Sequence, residues 1–190
     1  VIAYSCVSGE FKEEFAKEIP GTENNKEYWA SGISVIFHPM NPHVPAMHMN
    51  TRYIITGKEW LGGGFDFTPC LPNDDYELWY HNKVKELCDN HDESYYEDFR
   101  KKCDEYFYLP HRNETRGIGG IFYEYFSPQE MSFEFHKDVG RGFFETAMKT
   151  FEMFHTKEYT DADKAAQQIK RGRYVEFNLL NDRGTRFGLK

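Results

Sequence analysis

The chain has 190 residues, 39% hydrophobic and 28% charged, which is typical of a folded soluble domain rather than a disordered chain. Its formal net charge of −8 argues against a broad nucleic-acid interface, because such a surface needs basic residues to contact phosphates. No apolar run is long enough to span a membrane, and the N-terminal residues VIAYSC carry no signal-peptide pattern. The four scattered cysteines are expected to be free thiols in a reducing cytosol.

The first part of the chain carries strand patterns that are joined by short turns. Strands are predicted at VIAYSCV, at SGISVIFH (31–38), at AMHMNTRYII and at EWLGGGFDFTP. A short amphipathic helix, EFKEEFAKEI, is predicted between the first two strands. Because the connections are short, this order of strands favours an antiparallel meander.

The following part has mainly helical periodicity. Helices are predicted over 74–88, over 94–108 with Ser94 as the N-cap, and over 135–154. The segment GIGGIFYEYF, residues 117–126, returns to a strand pattern. Strands in one block with helices on the flanks indicate an α+β fold with a large antiparallel sheet, and we expect a single domain over 1–190.

Two more elements are predicted near the end of the chain. The segment TDADKAAQQIK opens with Thr160 and Asp163 in a capping-box-like arrangement, which is typical of a helix start. The segment RYVEFNLL, residues 173–180, is predicted to form a last strand.

Three neighbouring predicted strands each have a face of polar residues or glycine. In AMHMNTRYI the side chains of His48, Asn50 and Arg52 point to one side, because side chains alternate along a strand. If the strands pair as neighbours, they form a common floor with Ser34, His38, Gly62, Gly64 and Asp66. Three glycines in succession are interpreted as allowing a ligand to approach the sheet closely. Such a floor would suit a wide, flat ligand with anionic and N–H donor groups.

A solvated sheet face is the alternative interpretation, because it also alternates polar with apolar residues. We favour the pocket because three strands share the pattern. In a pocket, Arg52 could clamp a carboxylate and Asp66 could accept N–H groups or stabilise a cation. His48 could move a proton near neutral pH.

Four histidines are candidates for a transition-metal site: His38, His48, His81 and His111. Their spacing matches no local metal motif such as HExxH. A single helical histidine such as His81 is more often a packed or partly exposed side chain than a ligand. The residues alone therefore leave both interpretations open.

Several long blocks of this sequence resemble the oxygen-dependent coproporphyrinogen III oxidases, most closely the bacterial form. The blocks are SGISVIFHPMNPHVPAMHMNTRYI, WLGGGFDFTP, CDEYFYLPHRNETRGIGGIFYEYF and IKRGRYVEFNLLNDRGTRFGLK. The resemblance implies a cytoplasmic oxidoreductase that converts two propionates of coproporphyrinogen III to vinyl groups, which gives protoporphyrinogen IX in haem synthesis. It implies molecular oxygen as co-substrate, no organic cofactor and a homodimer built on a large antiparallel sheet flanked by helices.

The resemblance also implies roles for single residues. The residues implied in substrate binding are Ser34, Asn50, Thr51 and Arg52. His48 is implied as the proton donor, and Asp66 is implied in contacts with the pyrrole N–H groups. With Arg52, these two are the expected catalytic residues.

A bound metal such as manganese is a further implication, with His38, His48, His81 and His111 as its ligands. This sequence departs from the family pattern at Trp79, where a histidine is frequent, and at Glu124 and Tyr125, where an acidic pair is usual. Family chains also extend beyond both ends of this sequence.

Two other function classes stay open at this point. One is a non-catalytic tetrapyrrole-binding protein on the same fold, and the other is a histidine–metal hydrolase. An oxygen-dependent turnover assay separates the first from an oxidase, and metal analysis with a chelator tests the second. We expect Asp66→Ala to lower turnover with little loss of stability, and Arg52→Ala to weaken substrate binding.

Overall fold

An antiparallel sheet of five strands forms the centre of the computed structural model, which describes residues 1–17 and 19–188. Four of its strands follow one another along the chain: β1 (Ile2–Glu10), β2 (Glu27–Phe37), β3 (Ala46–Ile55) and β4 (Glu59–Thr68). A helix of four residues, α1 (Glu13–Ala16), lies between β1 and β2. The predicted meander is confirmed.

Most of the remaining elements are helices. In chain order they are α2 (Asp74–Asp89), α3 (Tyr95–Tyr106), the two-residue strands β5 (Tyr108–Leu109) and β6 (Glu114–Thr115), the fifth sheet strand β7 (Gly119–Phe126), α4 (Phe133–Phe154), α5 (Asp161–Leu180) and α6 (Arg183–Gly188). The α+β class is confirmed. In the part of the chain that the structure describes, no helix combines the length and the apolar character needed to cross a membrane.

The strand register places polar residues of three strands on one side of the sheet. The strand order is β1-β2-β3-β4-β7, and every neighbouring pair is antiparallel. Asn50 of β3 lies opposite Ser34 of β2 and Gly64 of β4, and His48 lies opposite Asp66. Directly opposed residues share a face of the sheet, so these residues project to the same side.

The other face of the sheet carries the apolar core. Met47, Phe65 and Phe67 are fully buried there, and the two phenylalanine rings pack against Tyr80 of α2 and Phe143 of α4. Burying a side chain of this size stabilises the fold by roughly 1.5–3 kcal/mol. Packing of α2, α3 and α4 on this face leaves the polar face for a cavity.

The prediction of a last strand over 173–180 is wrong, because these residues form the second half of α5. The predicted capping box at its start is confirmed: Thr160 Oγ1 accepts from the backbone N–H of Asp163, whose carboxylate accepts from the backbone N–H of Thr160. Tyr174 and Phe177 are buried three positions apart, which is helical spacing. Tertiary packing of this face overrides the strand propensity of the valine and the aromatic residues.

Two local expectations also need correction. The first helix has a single turn, Glu13–Ala16, because a short polar segment gains little from helix formation by itself. Ser94 occupies the N-cap position of α3 but makes no capping hydrogen bond. Its backbone is already helical, with φ −79° and ψ −21°, whereas an N-cap side chain reaches the helix from an extended backbone.

Candidate active site

One cavity of about 810 Å³ opens over the polar face of the sheet. Its floor includes Ser34, His48, Asn50, Arg52 and Asp66. Its walls come from segments that are distant in the sequence and include Tyr106, Arg116, Glu124, Tyr174, Asn178 and Arg183. Ligand pockets have volumes of roughly 300–1,000 Å³, so a large organic ligand is within its range.

A buried ion pair lies at the base of this cavity. Arg116 Nη2 donates to both carboxylate oxygens of Asp66 at 2.7 Å, and both side chains are only 2% exposed. Arg116 also donates from Nη1 to Asn178 Oδ1 at 3.0 Å. Removing one member of such a pair would leave an uncompensated buried charge, which is strongly destabilising.

Aromatic rings enclose the Arg116 guanidinium. Its central carbon lies 3.8 Å from the ring centre of Phe107, 4.4 Å from that of Tyr174 and 5.0 Å from that of Phe177. Cation–π attraction compensates part of the lost hydration of the guanidinium, and most strongly where water is excluded. The rings and Asp66 therefore hold the charge of Arg116 in a fixed position.

The surroundings of Asp66 keep its carboxylate ionised. Burial by itself raises the pKa of Asp66, but the charge of Arg116 and the hydrogen bond from His48 together hold that pKa below its usual value. Asp66 is therefore a permanent negative charge at neutral pH. Its two oxygens already accept three hydrogen bonds, two from Arg116 and one from His48.

Asp66 also orients the imidazole of His48. His48 Nδ1 lies 2.9 Å from Asp66 Oδ1. A carboxylate can only accept in this contact, so Nδ1 carries the hydrogen and the other ring nitrogen, Nε2, remains for proton exchange. The contact thus selects one tautomer of the neutral ring.

Arg52 belongs to a second group of charges, which connects the floor of the cavity with its wall. Its Nη1 donates to Asn50 Oδ1 at 2.8 Å, and its Nη2 donates to Glu124 Oε1 at 2.5 Å. The other oxygen of Glu124 accepts from Arg183 Nη2 at 2.6 Å. Two arginines from distant segments therefore meet at one glutamate.

From the sequence, the glycines of β4 are interpreted as allowing a ligand to approach the sheet, and the structure shows which protein atoms surround them. At Gly64 the backbone φ is +144°, and a Cβ would lie 2.0 Å from the carbonyl oxygen of Ile121 on β7. At Gly62 a Cβ would lie 3.2 Å from the Arg52 Nε. Strand pairing thus requires Gly64, whereas at Gly62 a side chain would make the Arg52 guanidinium shift by a few tenths of an ångström.

Thr51 lies apart from the other predicted binding residues. Asn50 and Arg52 line the large cavity, whereas Thr51 lines a separate cavity of about 470 Å³ on the opposite face of the sheet. This follows from the alternation of side chains along β3. The implied triplet is therefore split between two faces, and a contact of the Thr51 side chain with the ligand of the large cavity does not fit this placement.

The structure does not bring the four predicted metal ligands together. His48 pairs with Asp66, and the exposed His111 contacts Glu176. The ring of His38 packs edge-on against Tyr174. Both ring nitrogens of His81 are engaged, by the Ile118 carbonyl at 2.9 Å and by Tyr96 Oη at 3.1 Å. Within the described residues, no group of three or more histidine, cysteine or acidic side chains could hold a metal ion, so the donor set does not fit a metal here.

The charged or polar cavity residues to which the sequence assigns no role include Arg116, Glu124, Asn178 and Arg183. The sequence does indicate that a buried cation is present, because an acidic residue in the apolar segment FDF needs a cationic partner if it is buried. The signal does not select Arg116, which lies 50 positions further along the chain. Asn178 was further obscured by its assignment to a strand.

Comparisons with known proteins agree with the resemblance. A family model described as coproporphyrinogen III oxidase matches residues 1–190. A protein named oxygen-dependent coproporphyrinogen-III oxidase from Rickettsia bellii (strain OSU 85-389) is 50% identical over 187 residues, covering 97% of this chain and 67% of the relative. The proteins of the same name from Rickettsia africae (strain ESF-5) and Rickettsia akari (strain Hartford) are each 49% identical, with the same coverage. The chain therefore belongs to the coproporphyrinogen III oxidase family.

Proposed function

We propose that this protein oxidatively decarboxylates two propionates of coproporphyrinogen III to vinyl groups, with molecular oxygen as the electron acceptor. The observation that carries the proposal is that His48, Arg52 and Asp66 line one large cavity together, in a chain that belongs to an oxidoreductase family. The product is then protoporphyrinogen IX in haem synthesis, and the cytoplasm is the proposed location.

The reaction balances with oxygen as the only oxidant. In each propionate, the bond to the carboxylate breaks and carbon dioxide leaves. The carbon attached to the pyrrole ring loses a hydride equivalent, and a double bond forms. Oxygen takes up the hydride and one proton, which gives hydrogen peroxide.

Substrate carboxylates need cationic partners in the cavity, because an unpaired buried carboxylate is costly. Arg52 is the proposed partner of one propionate, since its guanidinium lies on the cavity floor and is held from two sides. Asn50 Oδ1 accepts from Arg52, so the amide N–H₂ of Asn50 is left to donate to a carboxylate oxygen. Ser34 lies opposite Asn50 and adds a hydroxyl to the same floor.

Asp66 and His48 are proposed to act as a unit. Asp66 fixes the orientation of the imidazole, and the free nitrogen of His48 exchanges a proton with the substrate or with reduced oxygen. An ionised carboxylate has about four acceptor sites, and three are filled by Arg116 and His48, so one remains for a pyrrole N–H. The negative charge also favours positive charge that develops on the tetrapyrrole as the hydride leaves.

A non-catalytic tetrapyrrole-binding protein is the second candidate function. The same cavity would serve it, so geometry alone does not separate the two. The relatives reported above, about half identical over the aligned residues, are named as oxidases, which favours catalysis.

Turnover of coproporphyrinogen III in the presence and absence of oxygen tests the proposal. We expect oxygen-dependent formation of protoporphyrinogen, read as protoporphyrin fluorescence after chemical oxidation, with one equivalent of carbon dioxide per propionate. Tight binding of the tetrapyrrole without any turnover under oxygen would support the second candidate instead. A parallel reaction with a chelator and with added manganese tests the metal that the resemblance implies.

We also propose that the protein forms a homodimer. Apolar side chains are exposed on the face of the sheet opposite the large cavity, where Tyr4, Trp29, Ile33 and Phe133 surround the second cavity. Exposed apolar surfaces of this kind often mark protein interfaces. Light scattering after size-exclusion chromatography should give twice the monomer mass, and Ile33→Lys should shift it towards the monomer. A monomeric wild-type protein at micromolar concentration would contradict this proposal.

A further inference from the structure

Glu124 of β7 connects two arginines that face the large cavity. Its Oε1 accepts from Arg52 on β3, and its Oε2 accepts from Arg183 at the start of α6. The three residues come from parts of the chain that are 72 and 59 positions apart. Each carboxylate oxygen of Glu124 therefore accepts from one guanidinium, and the glutamate bridges Arg52 and Arg183.

The order of burial places the glutamate beneath the arginines. The Glu124 side chain is 15% exposed, that of Arg52 is 27% exposed and that of Arg183 is 50% exposed. A ligand that enters the cavity therefore meets the guanidinium groups before it meets the carboxylate. Glu124 lies where it can support the arginines without occupying their outer surfaces.

The charges of this cluster leave room for one more anion. Two guanidinium groups and one carboxylate carry a net charge of one positive, so one added carboxylate makes the cluster neutral. Without Glu124, two like charges would repel each other in a partly desolvated cavity, and their side chains would separate.

Arg183 is the more exposed of the two arginines, and two tyrosines contact it beside Glu124. Arg52 has a second anchor in Asn50, and its guanidinium lies over Gly62. The guanidinium of Arg183 lies 5.0 Å from the ring centre of Tyr106, and the side chain hydrogen-bonds with the hydroxyl groups of Tyr106 and Tyr125 as well as forming its ion pair with Glu124. Because the Arg183 side chain is long and half exposed, loss of the ion pair would leave only the tyrosine contacts to hold it, and the guanidinium would populate more rotamers.

We propose that Glu124 is a positioning residue that holds Arg52 and Arg183 as a preformed two-arginine clamp for one carboxylate of the tetrapyrrole. The inference rests on the proposed function for the identity of the ligand. This supporting role of Glu124 differs from a competing role, in which Glu124 and the substrate carboxylate would bind the same arginines in turn. The burial order and the charge of the cluster both favour the supporting role.

The test is a comparison of Glu124→Gln and Glu124→Asp with the wild-type protein. We expect Glu124→Gln to raise KM for coproporphyrinogen III about tenfold, with a change in kcat below about threefold, because a clamp that is no longer preformed weakens binding of the substrate and of the transition state alike. Glu124→Asp keeps the charge but is one methylene shorter, so its KM should lie between those of the wild type and Glu124→Gln. Glu145→Gln, a change of an exposed glutamate on α4, is the matched control and should leave KM unchanged.

A second measurement uses fluorescence titration with coproporphyrin III, which needs no turnover. Its Kd should rise about tenfold in Glu124→Gln, and this effect should shrink in an Arg183→Ala background, because the two residues act through one contact. An unchanged KM and Kd in Glu124→Gln would overturn the inference, and so would tighter binding, which would mark Glu124 as a competitor. A wild-type protein that binds coproporphyrin III but does not turn over would overturn the proposed oxidase function and not this one.

Discussion

At the base of the cavity, the Asp66 carboxylate contacts a buried arginine on one side and an imidazole on the other. The same residue thus contributes to stability and to the proposed chemistry. Its pKa is below the usual value, because Arg116 and His48 together outweigh the effect of burial. The stability that comes from ionised Asp66 is therefore fully present above the pKa of the unfolded chain and is lost as pH falls through the lower folded-state pKa.

Asp66→Ala should abolish turnover and also destabilise the fold. The sequence instead predicts little loss of stability, because it does not reveal the buried partner Arg116. The loss should be about 3–5 kcal/mol, because Arg116 would stay buried without its partner. Urea unfolding at neutral pH measures it. The matched variant Asp66→Ala/Arg116→Met removes both charges and should recover most of the stability but not the turnover. Equal stability of Asp66→Ala and wild type would refute the energetic role of the pair.

Arg52→Ala should raise KM for coproporphyrinogen III roughly 10- to 100-fold, because a hydrogen-bonded charge contact with a carboxylate is lost. Arg52→Lys should recover little of this loss, since an ammonium cannot keep the Asn50 and Glu124 contacts in the same fork geometry. Steady-state kinetics with both variants provides the measurement. Wild-type KM in Arg52→Ala would count against a carboxylate clamp at this position.

Among the elements outside the sheet, α5 brings an aromatic ring and an amide to the cavity. Its second half brings Tyr174 and Asn178 to the cavity, one turn apart, while Phe177 packs beside them. A strand over the same residues would place Tyr174 and Asn178 about 13 Å apart, at roughly 3.3 Å per residue. The helix therefore allows one segment to contact Arg116 through both an aromatic ring and an amide.

Gly172→Ala should stabilise the protein by about 0.5–1 kcal/mol, because glycine in the middle of a helix is unfavourable relative to alanine. Gly172 lies within α5, and a Cβ there would meet no heavy atom within 4 Å apart from its chain neighbours and the nearby backbone of the helix itself. Gly142→Ala on α4 is the control, since its Cβ would lie 2.9 Å from Leu87 Cδ2 and the gain would be offset. Thermal unfolding of both variants checks the prediction. A destabilised Gly172→Ala would argue against a helix at this position.

For the whole molecule, the two faces of the sheet have different roles. The apolar face packs against α2, α3 and α4 over part of its area and contains two buried histidines, His81 on α2 and His136 on α4. Burial lowers the pKa of each to about 4, and the charges of Arg100 near His81 and of Arg52 near His136 add to the effect. At a pH between about 4 and the ordinary histidine pKa of about 6.5, both side chains are thus mainly neutral in the folded protein and mainly protonated in the unfolded chain.

Stability should therefore fall as the pH is lowered from about 7 to about 5, by about 2 kcal/mol for each histidine. The direction follows because the unfolded chain binds more protons than the folded one in this interval. Urea unfolding at the two pH values measures the change. In His81→Gln, and likewise in His136→Gln, the loss of unfolding free energy between the two pH values should be smaller by the contribution of one histidine. This holds whatever the substitution does to stability at neutral pH. An undiminished loss in the double variant would exclude these two residues as its source.

The sequence by itself determined the meander, the helices α2, α3 and α4 and the polar face of β3, on which His48, Asn50 and Arg52 lie. These features depend on side-chain periods within one segment, and the period of a strand or helix is a local property of the backbone. The same alternation already separated Thr51 from its neighbours, although the family resemblance grouped them together.

Only the tertiary structure decided which charges meet. Asp66 pairs with Arg116, and Glu124 bridges Arg52 and Arg183, across separations that no local pattern records. It also decided that residues 173–180 continue a helix, because burial of Tyr174 and Phe177 against the cavity wall outweighs their preference for a strand. The physical reason is common to all three cases: a buried charge or aromatic ring is stabilised by whichever distant segment packs against it, and packing is a property of the whole chain.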